Sequence, residues 1–185
     1  MSVDRLKRDL LNKLINARID LAAYLQLRKA KGYMSVSESE NLRDNFFDIP
    51  SDCPQRDERL GWMGDAQVFS WTAAFNRETA LFFTKWMRDI SAASSLERGV
   101  PHIVPDIQGT YSSAAWSDAA VIIPWVVYQM YGDTRILEES WKCMHEWVDY
   151  IHNHVNENGL WMTNYQYGDW LALDREMGDK SVGAT

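Results

Sequence analysis

From Val3 to about Ala30 apolar residues return every three or four positions, at Leu6, Leu10, Leu14, Ala17, Leu21, Tyr24 and Leu25. That period predicts an amphipathic helix, and Gly32 ends it. "SVSESENLRDNFF" then predicts a second, shorter helix, with Ser35 or Ser37 as N-cap and acidic residues in its first turn. Two prolines in "DIPSDCPQ" make Asp48 to about Arg59 a loop. From Asp65 to about Ser91 the spacing of Val68, Trp71, Thr72, Phe75, Thr79, Phe82, Phe83 and Trp86 predicts one long helix. "ERGVPHIVPDIQGTYSS" breaks the pattern, and "AWSDAAVIIPWVVYQMYGD" predicts a buried helix with Pro124 kinking it or lying near its first turns. "TRILEESWKCMHEWVDYIHNHV" is a further amphipathic helix, with Thr134 as candidate N-cap and Asn158-Gly159 as the stop. The remaining tail, "GLWMTNYQYGDWLALDREMGDKSVGAT", has aromatics without period and reads as loop or short strands.

These elements make an all-α chain of helical hairpins whose connecting loops hold the unusual residues. At 185 residues, with 46% apolar positions and nine tryptophans, the chain is long and aromatic enough for one folded core. A formal charge of -7 argues against a phosphate-backbone partner, so nucleic acid is not expected. No stretch is apolar for long enough to span a membrane or to serve as a signal peptide. Cys53 and Cys143 stand far apart and read as two free thiols. The cytoplasm is accordingly the expected location, although a longer parent protein would be free to be exported. His145 and His152 can share a helix face but no carboxylate or thiol partner at i+4 makes a convincing ligand set, so no metal site is expected from them or from His102. Trp71, Trp86, Trp125, Trp141 and Trp147 fall within helix-period patterns and are expected in the core.

The densest chemistry lies in "DCPQRDERLGWMGD", where Asp52, Asp57, Glu58 and Asp65 alternate with Arg56 and Arg59 around Trp62. One reading is a salt-bridged loop that staples helices together. The other is a sugar site, because glycoside hydrolysis uses one carboxylic acid to protonate the leaving oxygen and another carboxylate to activate water or attack the sugar. For Glu58 to act as an acid its pKa must be raised. Apolar burial beside Trp62 and negative neighbours would do that, and Arg56 or Arg59 would oppose it.

The whole string "DIPSDCPQRDERLGWMGDAQVF", with "VPHIVPDI", "AAWSDAAVIIPWVVYQMYGD" and "YGDWLALD" in order downstream, resembles the bacterial α-L-rhamnosidases, the family 78 glycoside hydrolases. The resemblance runs from about Asn45 to the C-terminus. It implies an (α/α)6 barrel, of which this chain would hold about half, and inverting release of terminal L-rhamnose from a glycoside without a cofactor. By position, Glu58 matches the family's general acid. Asp52, Arg56 and Asp65 match residues that hold the rhamnose hydroxyls, and Trp62, Trp116 and Trp170 match aromatics that line the sugar pocket. Aromatic faces suit the C–H surface and methyl group of a 6-deoxy sugar, and carboxylates suit vicinal hydroxyls. Asp106, Asp118 and Asp169 lie near the matched segments and either shape the pocket or cap helices.

Two departures define the expected organisation. Residues 1–44 form helical material unmatched by the family, either an insertion or a foreign hairpin joined near Asp44 to Phe46, and 45–185 form the N-terminal portion of the catalytic domain. The family's general base lies beyond the matched region, so the isolated chain is expected to be nearly inactive. Half a barrel leaves apolar helix faces uncovered, and self-association through them is expected. The alternatives are a non-catalytic carbohydrate-binding or purely structural helical domain, or another (α/α)6 glycosidase.

Overall fold

The computed structural model describes residues 46–51, 59–109, 111–163 and 166–168. All of them fall in the compact unit Asp44–Thr185. The first predicted helix, and the second up to Asn45, lie outside the described residues; Phe46 and Phe47, the end of the second, are not helical, and Phe46 pairs with Pro50. Four helices follow, α1 Met63–Asn76, α2 Ala80–Ala93, α3 Ala119–Tyr131 and α4 Arg135–His154. Among the described residues extended pairing is limited to the isolated bridges Phe46 with Pro50, Trp62 with Ile103 and Ser95 with Gly99.

Helix α3 is apolar along nearly its whole length, and it accordingly packs against all three of the others, with α2 also touching α4. Its buried residues include Ile123, Pro124, Val126, Val127 and Met130. Pro124 sits inside the helix rather than at its start, buried among these neighbours. Helix α2 buries Phe83, Trp86, Met87 and Ile90, and α4 buries Ile136, Ser140, Cys143, Trp147 and Tyr150. Both sets follow the i, i+3, i+4, i+7 stripe that faces a core. Cys143 is a free, buried thiol; Cys53 lies outside the described residues. Among the described residues no helix is long and apolar enough to cross a membrane.

The single helix predicted from Asp65 to Ser91 is two helices, broken at Arg77–Thr79. The break is held by one distant hydroxyl. Tyr131 Oη accepts the Thr79 N–H at 3.1 Å, lies 3.2 Å from Thr79 Oγ1, and donates to the Arg77 carbonyl at 3.3 Å. Backbone groups freed by the interruption are thereby paired, and the Glu78 carboxylate accepts the Ala80 N–H at 3.1 Å. The apolar spacing resumes on both sides of the polar run from Asn76 to Thr79, so spacing alone predicts a single helix there.

The facing of α1 also differs from the expected one. Its buried stripe is Met63, Ala66, Gln67, Ser70, Ala73 and Ala74. Small residues let α1 approach α3 closely, with Ala74 against Val126 and Met130. The larger residues Val68, Trp71 and Phe75 therefore face outward, 78%, 39% and 41% exposed. Of the five tryptophans expected in the core, Trp86 and Trp147 are buried, whereas Trp71, Trp125 and Trp141 are exposed. At α4 the N-cap position is Thr134, but its side chain makes no capping bond; Asp133 supplies the oxygen, accepting the Arg135 N–H at 3.0 Å. Arg135 in turn holds the Asp133 carboxyl below the usual carboxylate range.

Candidate functional site

Helix α1 begins where two loops meet. Its N-cap residue, Trp62, offers no side-chain cap, and the Met63 N–H donates instead to the His102 carbonyl at 3.0 Å. One step earlier the Val104 N–H donates to the Gly61 carbonyl at 2.9 Å. The end of the charge-rich string thus runs antiparallel to "HIV" of the second loop. Only glycine fits at position 61, since a Cβ there would lie 2.0 Å from the Val104 carbonyl oxygen.

Backbone pairing at this point brings side chains together. The Trp62 indole stacks on the His102 imidazole, centroids 5.5 Å apart and planes 6° from parallel. Tyr167 meets Trp62 edge-on at 5.9 Å, His102 edge-on at 5.0 Å and Trp116 at 4.5 Å. Its hydroxyl lies 2.9 Å from His102 Nε2. His102 is buried, and desolvation pushes its pKa below the ordinary histidine value, against smaller opposite pulls from the Tyr111 backbone and the Asp106 charge. The imidazole at this position is therefore neutral near pH 7.

Trp116 is presented by the turn before α3. Gln67 Nε2 donates to the Ala115 carbonyl, Gln166 Oε1 accepts the Ala114 N–H at 2.9 Å, and Asp118 Oδ2 accepts the Ala115 N–H at 2.9 Å. The other Asp118 oxygen accepts Trp147 Nε1–H at 2.9 Å. Ser117 Oγ donates to the Val100 carbonyl at 2.7 Å, tying this turn to the loop that carries His102. Asp118 thus anchors the loop and the core at once. Asp106 lies 3.8 Å from the Arg98 guanidinium.

Of the residues singled out in the sequence, Trp62 and Trp116 are brought to one cluster, and Asp65 lies one turn away in the first turn of α1. Asp52, Arg56, Glu58, Trp170 and Asp169 lie outside the described residues. His102 and Tyr167 are members of the cluster that sequence reasoning missed. His102 was weighed only as a metal ligand, and Tyr167 stands three residues before Trp170 in "YGDW" without a period to mark it. His145 pairs with the carboxylate of Asp149 at i+4, at 3.0 Å. That pair lies on the exposed face of α4. A groove of about 300 Å³ between α2 and α4, lined by Arg88, Glu139 and their neighbours, shares no residue with the aromatic cluster.

Loops and turns of this helical scaffold thus gather the rings of Trp62, His102, Trp116 and Tyr167 near the start of α1. Residues 38–184 match the family described as the bacterial alpha-L-rhamnosidase 6 hairpin glycosidase domain. The chain belongs to that family, and its four described helices are part of an all-α, (α/α)6-type scaffold. It is 44% identical over 140 residues to an alpha-L-rhamnosidase of Formosa agariphila, a match covering 75% of this chain and 15% of that protein. The crystal structure of Streptomyces avermitilis alpha-L-rhamnosidase complexed with L-rhamnose superimposes with a TM-score of 0.67 at 34% identity, covering 80% of this chain and 15% of that one. The chain thus spans about 15% of the length of these relatives. It is also 56% identical over 81 residues to the biofilm regulator BssR of Escherichia coli, covering 44% of this chain and 62% of that protein.

Proposed function

We propose that this chain carries the acid-bearing, sugar-binding part of an α-L-rhamnosidase catalytic domain. On this reading Glu58 is the general acid, Asp52, Arg56 and Asp65 hold the rhamnose hydroxyls, and Trp62, Trp116 and Trp170 line the pocket. The observation that carries it is the convergence of Trp62 and Trp116 on Tyr167 at the start of α1, in a chain of this family. A 6-deoxy sugar has an apolar face and a methyl group that two indoles accommodate, and its hydroxyls call for carboxylate and guanidinium partners. Inverting hydrolysis also needs a second carboxylate about 6.5–9.5 Å from the acid. We assign that role to no residue of this chain, so the chain alone is close to inactive and binds sugar without turning it over. Titration of L-rhamnose followed by tryptophan fluorescence tests the reading, with Asp52→Ala as control. A saturable change lost in the variant supports it. A flat titration of the wild-type chain leaves a purely structural helical domain.

The N-terminal part carries a separate proposal. Residues 1–37 precede the family match. We propose that residues 1–44 are a helical segment of different origin, joined to the glycosidase-family sequence near Asp44 to Phe46. A genomic read across this junction in the source organism tests it. A single uninterrupted reading frame of rhamnosidase length that contains residues 1–44 as an ordinary part of the domain overturns it.

The outward Val68, Trp71 and Phe75 of α1, with Trp125 of α3, support self-association of the chain. Light scattering on the eluting protein gives a dimer or larger species on this proposal. A clean monomer at micromolar concentration refutes it.

A further inference from the structure

The two tryptophans of the cluster come from different segments, Trp62 from the run entering α1 and Trp116 from the turn preceding α3. Tyr167 contacts both rings, at 5.9 Å and 4.5 Å. Its ring meets Trp62 at 79° and Trp116 at 39°, so moving Tyr167 changes the relation between them. The position of Tyr167 is in turn held by its hydroxyl, 2.9 Å from Nε2 of a histidine that is more than nine-tenths buried and stacked on Trp62. The backbone of that histidine also holds the first N–H of α1. A stacked ring can offer only its other face to a ligand, so His102 decides which face of Trp62 is presented.

The geometry points to the Tyr167–His102 hydrogen bond as the element that sets the spacing and tilt of the two tryptophan walls, and so the fit of the sugar's apolar edge between them. Both are positioning residues, acting through Trp62 and Trp116; the sugar half of the inference rests on the rhamnose reading above. Mere packing does not require the hydroxyl, because phenylalanine fills the same volume. A hydrogen bond to a neutral imidazole is directional, and removing either partner leaves the other's polar atom unpaired in an aromatic cluster.

The test uses the full 185-residue chain. Tyr167→Phe removes one oxygen, and His102→Asn withdraws the polar atom from the Nε2 position. His102→Gln places a carboxamide nitrogen close to that position and serves as the conservative rescue. Three quantities are read: the imidazole nitrogen resonances of His102, the near-ultraviolet tryptophan circular dichroism, and the L-rhamnose dissociation constant from fluorescence. Tyr167→Phe shifts the His102 Nε2 resonance, changes the tryptophan band and weakens L-rhamnose binding by about five-fold, the size of one hydrogen bond. His102→Asn behaves alike, and His102→Gln binds within about two-fold of wild type. Should His102→Asn fail to fold, Tyr167→Phe decides. Wild-type values of both the tryptophan band and the dissociation constant in Tyr167→Phe overturn the inference. Absence of L-rhamnose binding by the wild-type chain sinks the sugar reading instead. The positioning inference is then decided by the two spectra, supported if Tyr167→Phe changes them and overturned if it does not.

Discussion

Gly64 lies in the first turn of α1 directly against the Trp116 indole. A Cβ built there would meet Trp116 Cδ1 and Nε1 at 2.8 Å and Cε2 at 3.0 Å. Carbon atoms in contact sit about 3.5–4.0 Å apart, so in Gly64→Ala the indole or the helix start must move by roughly 0.5–1 Å. The neighbour is a rigid ring held in a pinned turn, not the end of a flexible side chain. Overpacking of this kind costs about 1–3 kcal/mol. Alanine also improves helix propensity by up to about 1 kcal/mol, which offsets part of the loss. The net is a destabilisation of about 1 kcal/mol, a fall in Tm of about 2–4 °C for a chain of this size. The assay is a double-mutant cycle with Trp116→Leu, read by thermal unfolding and circular dichroism. With the indole gone, Gly64→Ala becomes neutral or stabilising, giving a coupling of about 1 kcal/mol or more. A Gly64→Ala protein more stable than wild type, with additive effects in the double mutant, refutes the placement of Trp116 over α1.

Tyr131→Phe removes the hydroxyl that pairs Thr79 and Arg77, so stability falls by about 1 kcal/mol in denaturant and amide exchange quickens at Thr79. Unchanged exchange there would contradict the account of the helix break. Asp118→Ala strips the Trp147 indole N–H and the Ala115 N–H of their acceptor and costs about 2–3 kcal/mol, read in urea, with a loss under 0.5 kcal/mol counting against it. For His102 the sign follows from burial. Its folded pKa lies below the ordinary value, so as pH falls through that value the unfolded chain takes up a proton that the folded chain does not, and stability drops. The stability gap between wild type and His102→Gln therefore narrows from about pH 7.5 to about pH 5.5, and a constant gap would show that His102 is not buried neutral. Trp71→Lys shifts the chain toward monomer in sedimentation velocity; an unchanged distribution would place any self-association on another face.

Periodicity was a sound guide wherever one helix face simply met the core. Phe83 and Trp86 of the α2 stripe were legible from their spacing, and α4 was legible as an amphipathic helix, although of its two tryptophans only Trp147 is buried and Trp141 is exposed. The same rule failed on α1, where beyond Met63 the buried face is made of alanine, serine and glutamine, and Val68, Trp71 and Phe75 point outward. Close helix approach selects small side chains, and a size-weighted reading of the pattern then reports the wrong face. The break at Arg77–Thr79 was hidden for another reason: the group that stabilises it, the Tyr131 hydroxyl, is 52 residues away from Thr79. In the site, Trp62 and Trp116 stood out through resemblance. Their supports, His102, Tyr167, Gln67 and Gln166, did not, since a residue that orients another through one hydrogen bond leaves no spacing to detect. Gly61 and Gly64 each mark a close approach that only the folded chain reveals.

On the proposed reading, the tryptophan walls of this chain receive the apolar edge of L-rhamnose. Saturation-transfer difference NMR tests it most directly, with the protein's aromatic protons irradiated and L-rhamnose and L-mannose in separate samples. Those sugars differ only at C6, where rhamnose has a methyl group and mannose a hydroxymethyl. The account predicts that the rhamnose methyl receives the strongest transfer, that L-mannose receives less, and that Trp116→Leu weakens the signal. No transfer to rhamnose, or equal transfer to both sugars with no dependence on Trp116, would contradict it.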